Sequence, residues 1–211
     1  MAVNSETPHN SRRIPAIILG SLVAVILLST LLFRVSVNGQ IDLPALLGTK
    51  NNGELIKPPR PISELPLQEE NGSVFDFSKQ QKQWSIAIPV TAHCDAQCQQ
   101  NLYLTRQIHT ALGKDSDRVR RYLIATQWPL DAEFEKVLEA HPKLQILKAD
   151  AGVFDQYFAQ SQLQPVRDQQ YLIIDPAGWF MMYYGPHHDG KVVIKDLKFL
   201  LTNSHEHEDV N

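Results

Sequence analysis

The stretch "WSIAIPVTAHCDAQCQQNLYLTRQIHTALG", residues 84–113, holds both cysteines of a 211-residue chain. Its first seven residues are apolar and β-branched enough for a buried strand. Further on the period changes: Leu104, Ile108 and Leu112 recur at i, i+4 and i+8, and Gly113 follows as a stop, so the spacing predicts a helix over 96–113. Cys94 and Cys98 therefore fall where a strand hands over to a helix. The gap of three residues between them fits neither a zinc ribbon, which needs a second pair of ligands, nor the C-x-x-C of thioredoxins.

Working outward, "RYLIAT" (121–126) reads as a second strand, "DAEFEKVLEAH" (131–141) as a helix capped by Asp131, and "LQILKA" (144–149) as a third strand. "GVFDQYFAQ" (152–160) reads as a short helix. "YLIID" and "WFMMYYG" flank the turn "PAG" (176–178) as a β-hairpin, and "KVVIKDLKFLL" (191–201) closes as an amphipathic helix. Strands alternating with helices and ending in a hairpin plus helix give an α/β fold with a mixed sheet. One domain with one core is expected over 65–201. Before it, "NNGELIKPPRPISELPL" carries Pro58, Pro59, Pro61 and Pro66, so 34–64 is expected as an extended linker or a strap.

Residues 14–33, "IPAIILGSLVAVILLSTLLF", carry no charged side chain and have the length that crosses ~30 Å of hydrocarbon at 1.5 Å per residue. Pro15 falls in the first turn, where its missing N–H costs nothing. The apolar core exceeds the 7–15 residues of a cleaved signal peptide and no clear small-residue cleavage site follows, so an uncleaved transmembrane anchor is expected. Arg12 and Arg13 abut its short side and assign residues 1–13 to the cytoplasm. In a bacterium the rest then lies in the periplasm, anchored to the inner membrane by a single pass, where disulfides form and persist. A formal net charge of −3 offers no basic footprint for nucleic acid, and that class of partner is excluded. The tail 202–211, "TNSHEHEDVN", is short, acidic and expected to be flexible.

A helix N-terminus carries about +0.5 elementary charge, which favours a thiolate over a thiol. Cys94 at the helix start is the expected nucleophile and Cys98, one turn on, its resolving partner, with Cα atoms about 6 Å apart and within bridging range. The ring closed is too small for chain entropy to make it a useful staple. A redox or soft-metal site is the expectation, with Cys94 and Cys98 as its catalytic residues.

The run "HCDAQC" followed by Leu102, the preceding strand, the approach "NNGELIKPPRPI", the hairpin "YLIIDPAGWFMMYYG" and the final helix together resemble the SCO/SenC cytochrome c oxidase assembly proteins. The resemblance covers essentially the whole chain, anchor included. It implies a thioredoxin-like domain, a mixed sheet flanked by helices behind one N-terminal transmembrane helix. It also implies copper delivered to the oxidase Cu(A) centre through an H-C-x-x-x-C motif and one distant histidine. This chain departs from that pattern: Asp95 and Gln99 stand where the family usually has proline after each cysteine, and Arg167 stands at the position expected for the copper-binding histidine. Arginine has no lone pair to give a metal. Metal binding is therefore expected through Cys94 and Cys98 alone, to Cu(I), a soft ion that accepts two thiolates.

Other histidines are placed differently. His93 is expected to tune thiolate charge rather than to ligate. His187 and His188 in "GPHHDG" read as an exposed turn, and His205 and His207 lie in the tail. Arg167, if its loop folds as in the family, would bring a fixed positive charge to the thiols and favour thiol exchange over cation binding. Three functions follow: a thiol–disulfide oxidoreductase that keeps cysteines of a cytochrome c oxidase subunit reduced, a Cu(I) metallochaperone, and a non-catalytic module binding the oxidase or its assembly factors. The loss of the histidine favours the first.

Overall fold

The computed structural model describes residues 13–37, 51–162 and 167–204, and the chain divides into two units, 1–50 and 51–211. In the first unit, α1 (Arg13–Val37) contains an uncharged run, with a mean hydropathy of 2.7 across Pro15–Arg34. It is long and apolar enough to cross a membrane once. Its hydroxyls suit that solvent: those of Ser21, Ser29 and Thr30 donate to the carbonyls three residues back, so none faces hydrocarbon unpaired. Residues 1–12 and 205–211, with His205 and His207, lie outside the described residues, as does the stretch 38–50 of the expected linker.

In the second unit, β1 (Glu54–Pro61), β2 (Gln68–Glu69), β3 (Trp84–Val90), β4 (Val119–Ala125), β5 (Leu144–Lys148), β6 (Tyr171–Ile174) and β7 (Trp179–Tyr184) form one mixed sheet in the order β1-β7-β6-β3-β4-β5-β2. β3 runs parallel to β4 and β4 to β5, while β6 is antiparallel to β3 and β7 to β6. The helices are α2 (Ala96–Ala111), α3 (Ala132–Glu139), α4 (Ala151–Phe158) and α5 (Gly190–Asn203). This is the α/β fold with a mixed sheet that the pattern predicted, and the thioredoxin-like arrangement that the resemblance implied.

Strand alternation sorts the core into two layers. Ile86, Ile88 and Val90 of β3 pack with Leu102 and Ile108 of α2, Phe134 of α3 and Leu197 of α5 on one face. Ala87, Tyr122, Leu172 and Phe180 pack with Phe154 and Phe158 of α4 and with Leu65, Leu67 and Phe75 on the other. All seven residues of β3 are buried, which is why that central strand reads as a continuous apolar run rather than an alternating one. Gly113 ends α2 with φ +62°, in the left-handed region that glycine enters without strain.

Two boundaries differ from expectation. The proline-rich stretch is extended, but it enters the sheet: Glu54, Leu55, Arg60 and Pro61 pair with β7, so the folded unit starts near Asn51 rather than at 65. Proline is tolerated there because β1 is an edge strand and its register shifts between Leu55 and Arg60. The buried Asp196 of α5 fixes its start, accepting from the backbone N–H groups of Asn52 (2.6 Å) and Gly53 (3.2 Å) and from the Tyr184 hydroxyl (2.9 Å). At the other end α5 continues to Asn203, and Ser204 accepts a 2.9 Å bond from the Trp84 indole, so the tail begins later than 202.

Candidate functional site

Three loops meet at the C-terminal ends of β3 and β4, the usual place for a site in an open α/β sheet. The first, 91–95, leads from β3 into α2. The second follows β4: the Thr126 N–H and hydroxyl both bond the Val90 carbonyl (2.9 and 2.8 Å), and the Asp131 N–H bonds the Ala92 carbonyl (3.0 Å). The third precedes β6, where the Asp168 N–H donates to the Pro89 carbonyl (2.9 Å).

Cys94 and Cys98 are joined as a disulfide, with Cα atoms 5.1 Å apart. Cys94 is 5% exposed and Cys98 fully buried, so the Cys98 sulfur is sealed from solvent and Cys94 is the less deeply buried of the two. Asp95 and Gln99, the departures from the proline pattern, each do a local job. The Asp95 carboxylate caps α2 by accepting from the Cys98 N–H (2.8 Å), and the Gln99 amide donates to the Cys94 carbonyl (3.3 Å). The polar side chains thus pin both ends of the disulfide loop. They also place an anionic group beside the sulfurs, opposing the helix dipole that favours thiolate.

His93 is 68% exposed in its side chain and its Nδ1 lies 2.6 Å from Asp131 Oδ2. The hydrogen bond and charge of Asp131 raise the His93 pKa. Asp131 caps α3 through the Phe134 N–H (2.7 Å), and that bond, with His93 second, lowers its pKa. The pair is fully charged between the lowered carboxyl value and the raised imidazole value. With both groups ionised the pair is neutral overall, on a mostly exposed side chain one residue before Cys94.

Asp168 is the residue that sequence reasoning missed. It sits at φ +66°, a conformation aspartate tolerates better than most residues. Its carboxylate accepts from the Thr91 N–H (3.1 Å) and lies 3.0 Å from the Thr91 hydroxyl, while its carbonyl accepts from the buried Asn101 amide (2.8 Å). Burial raises its pKa; the Thr91 bonds pull the other way, and the negative charge of Asp95 adds to the rise. Asn101 was a legible signal, since with Thr105 it interrupts the apolar buried stripe Cys98, Leu102, Ile108.

Arg167 does not bring its charge to the pair. Its guanidinium is ion-paired with Asp155, donates to the Ala151 carbonyl (3.3 Å) and lies over the Phe154 ring, 5.7 Å from the centroid. All three partners are on α4, on the face of the sheet opposite the layer containing Cys94 and Cys98. The acidic groups at these loops are instead Asp95, in the loop that carries Cys94, and Asp168, in the neighbouring loop before β6. The two adjacent residues diverge because Asp168 takes the left-handed conformation and is held to Thr91 and Asn101, while Arg167 is held to α4.

His187 and His188 form an exposed corner beyond β7, as the turn reading had it. His187 Nε2 is 3.2 Å from Glu54 Oε1, and His188 accepts from the Gly185 N–H (3.0 Å) and lies 3.2 Å from the Asn52 carbonyl. Ligand atoms of Glu54, His187 and His188 fall within 4.8 Å of one another, a grouping separate from the disulfide. Among the described residues no histidine joins the cysteines as a third ligand in this arrangement.

Residues 84–204 match the family model described as the transmembrane-like, thioredoxin-like, C-terminal domain. No curated protein sequence matches the chain. Among solved structures, the copper-bound Sco1 of yeast superposes with a TM-score of 0.56 at 15% identity, over 76% of this chain and 99% of the other. The apo Sco1 of Thermus thermophilus gives 0.55 at 16% identity, over 72% and 99%. BsSco, described as a Sco-family cytochrome c oxidase assembly protein with a disulfide switch, gives 0.53 at 12% identity, over 73% and 98%. At these identities the likeness is one of fold.

Proposed function

We propose a function from the premise that this chain belongs to the transmembrane-like, thioredoxin-like, C-terminal domain family: it is a membrane-anchored thiol–disulfide exchange factor in cytochrome c oxidase assembly. Its domain faces the periplasm from a bacterial inner membrane, and its substrates are cysteines of an oxidase subunit or of another assembly factor. The observation that carries the reading is the disulfide between the chain's only two cysteines at the start of α2, with Cys98 sealed and Cys94 the less deeply buried of the two.

In the reduced protein the Cys94 thiolate attacks a substrate disulfide, forming a mixed disulfide and releasing one substrate thiolate, which takes a proton. The Cys98 thiolate then attacks the Cys94 sulfur, forming the intramolecular bond and expelling the second substrate thiolate. Two electrons pass to the substrate, and the two protons of the Cys94 and Cys98 thiols end on the substrate thiols. A dithiol donor reverses the bond for the next cycle. His93, whose pKa Asp131 raises, is the neighbouring group assigned to tune the attacking thiolate of Cys94.

A second reading has a specific observation in its favour. With Arg167 engaged on α4, Asp95 in the loop that carries Cys94 and Asp168 bonded to that loop through Thr91, the reduced pair suits a soft cation, and Cu(I) as cargo would be held by the two thiolates. The fold shared with copper-bound yeast Sco1 is consistent with that.

One experiment separates them. The full chain, reduced in detergent and free of oxygen, is titrated with Cu(I) and, in parallel, mixed with a peptide carrying an oxidised oxidase-type Cys pair. Exchange reading: stoichiometric reduction of the peptide, abolished in Cys94→Ser, and a trapped mixed disulfide in Cys98→Ser. Carrier reading: one Cu(I) bound tightly, lost in Cys94→Ser but kept when Glu54, His187 and His188 are all replaced by glutamine. Full oxidase assembly with both cysteines replaced by serine would overturn both.

A further inference from the structure

The C-terminal half of α2 faces a second pocket, remote in sequence from the cysteines. Arg121 of β4 is 2% exposed, yet its Nη2 donates only to neutral acceptors, the Leu102 carbonyl (3.1 Å) and the Thr105 hydroxyl (2.9 Å). Its buried Nε has no hydrogen-bond partner, and neither has the buried Nδ1 of His141, a residue only 7% exposed. Arg121 and His141 both line a cavity of about 320 Å3 whose lining also includes Arg106, His109, Ser116 and Lys143, with no aspartate or glutamate among the described residues. A buried guanidinium without a carboxylate is a costly arrangement, because charge is removed from water with nothing opposite in sign beside it.

The neighbouring charges deepen the imbalance. Burial pushes the Arg121 guanidinium down to about 10, and Arg106 pushes in the same direction. Burial, Arg121 and Arg106 together hold His141 at about 4. His109 is lowered by burial first, with Arg121 and Lys143 adding to it, although its bond to the Val119 carbonyl works against the shift. The pocket thus repels protons from its own histidines while three permanent cations remain.

We propose that this pocket binds a small dianionic oxyanion, a phosphate group carried free or as a monoester. Three cations match a dianion better than a monocarboxylate. Guanidinium donors suit phosphoryl oxygens, and two guanidinium side chains, Arg106 and Arg121, line the cavity together with Lys143. The volume admits a tetrahedral ion with several waters, each taking ~30 Å3. Nothing in the exchange chemistry at Cys94 uses these residues.

The test titrates the full chain in detergent with inorganic phosphate at constant ionic strength set by chloride, read by calorimetry and by melting temperature. Saturable binding of one phosphate per chain is expected, with a melting temperature that rises with phosphate and not with chloride. Arg106→Gln combined with Lys143→Gln should weaken the dissociation constant at least tenfold. Arg121→Met should abolish the phosphate response; should that variant not fold, the double variant decides. Comparison with glycerol 3-phosphate identifies the source: tighter binding of the ester assigns a phosphorylated metabolite, tighter binding of inorganic phosphate assigns the free ion. A phosphate response equal to that of chloride, or unchanged affinity in the double variant, would overturn the proposal.

Discussion

The two ends of α2 sit in opposite electrostatic surroundings. At the first turn, Asp95 and Asp168 stand near the disulfide, and each carboxylate accepts at least one backbone N–H. Toward the last turns Arg106, Arg121 and Lys143 gather around a cavity, and two buried nitrogens there have no partner. Both ends obey the helix macrodipole, acid at the N-terminus and base toward the C-terminus. The difference lies in satisfaction. Charges that the fold has hydrogen-bonded serve architecture, whereas the cations at the other end have no carboxylate among the residues that line their cavity.

The contrast can be attacked from the satisfied end. Asn101→Ala should have the largest effect, because it leaves the Asp168 carbonyl without its 2.8 Å donor and opens space in a buried position. A loss of ~1–3 kcal/mol in denaturant unfolding is expected; a loss below ~0.5 kcal/mol would mean water replaces the amide and the acidic end is less closed than described. Next come two substitutions at Asp95. Asp95→Ala removes the cap and should cost ~0.5–2 kcal/mol, while Asp95→Asn keeps a comparable cap and should cost little. Both should lower the pH at which reduced Cys94 is alkylated, because both remove the anion; an unchanged alkylation profile would detach Asp95 from thiol tuning.

The smallest effect concerns Asp168. Its carboxyl is raised in the folded state, so the folded protein holds that proton more tightly than the unfolded chain does. Stability from this group is greatest below the ordinary carboxylate value and is lost as pH rises through the folded value. Asp168→Asn should therefore raise the melting temperature of the oxidised chain at pH ~7, with the gain shrinking toward pH ~4 as the wild-type carboxyl takes up its proton. A gain independent of pH would place its origin elsewhere.

Much of this was readable from residues. The buried strand 84–90, the cap at Asp131 and the hairpin around Pro176 each carry a local cause, apolar run, capping side chain or turn residue, that acts within a few positions. Arg167 and Asp168 show where such reading stops. They are adjacent, yet one pairs with α4 and the other with Thr91 across the sheet, and which faces inward depends on a turn whose geometry is set by Pro89 and Asn101 far away in sequence. The cationic pocket was invisible for the same reason: Arg106, Arg121 and Lys143 come from one helix, one strand and one loop, and only the packing of β4 against α2 reveals that no acid accompanies them.

The proline-bearing β1 has a consequence for how copies of this protein coexist on a bilayer. A seven-stranded sheet exposes two edges, and chains confined to a membrane meet each other at high local concentration. Here one edge carries Pro58, Pro59 and Pro61, and its Lys57 carbonyl is already occupied by the Gln162 N–H; the other edge is β2, only two residues long. Neither offers the row of free backbone donors and acceptors that a neighbour's strand needs, so the sheet resists edge-to-edge polymerisation without spending any of its active surface on the task.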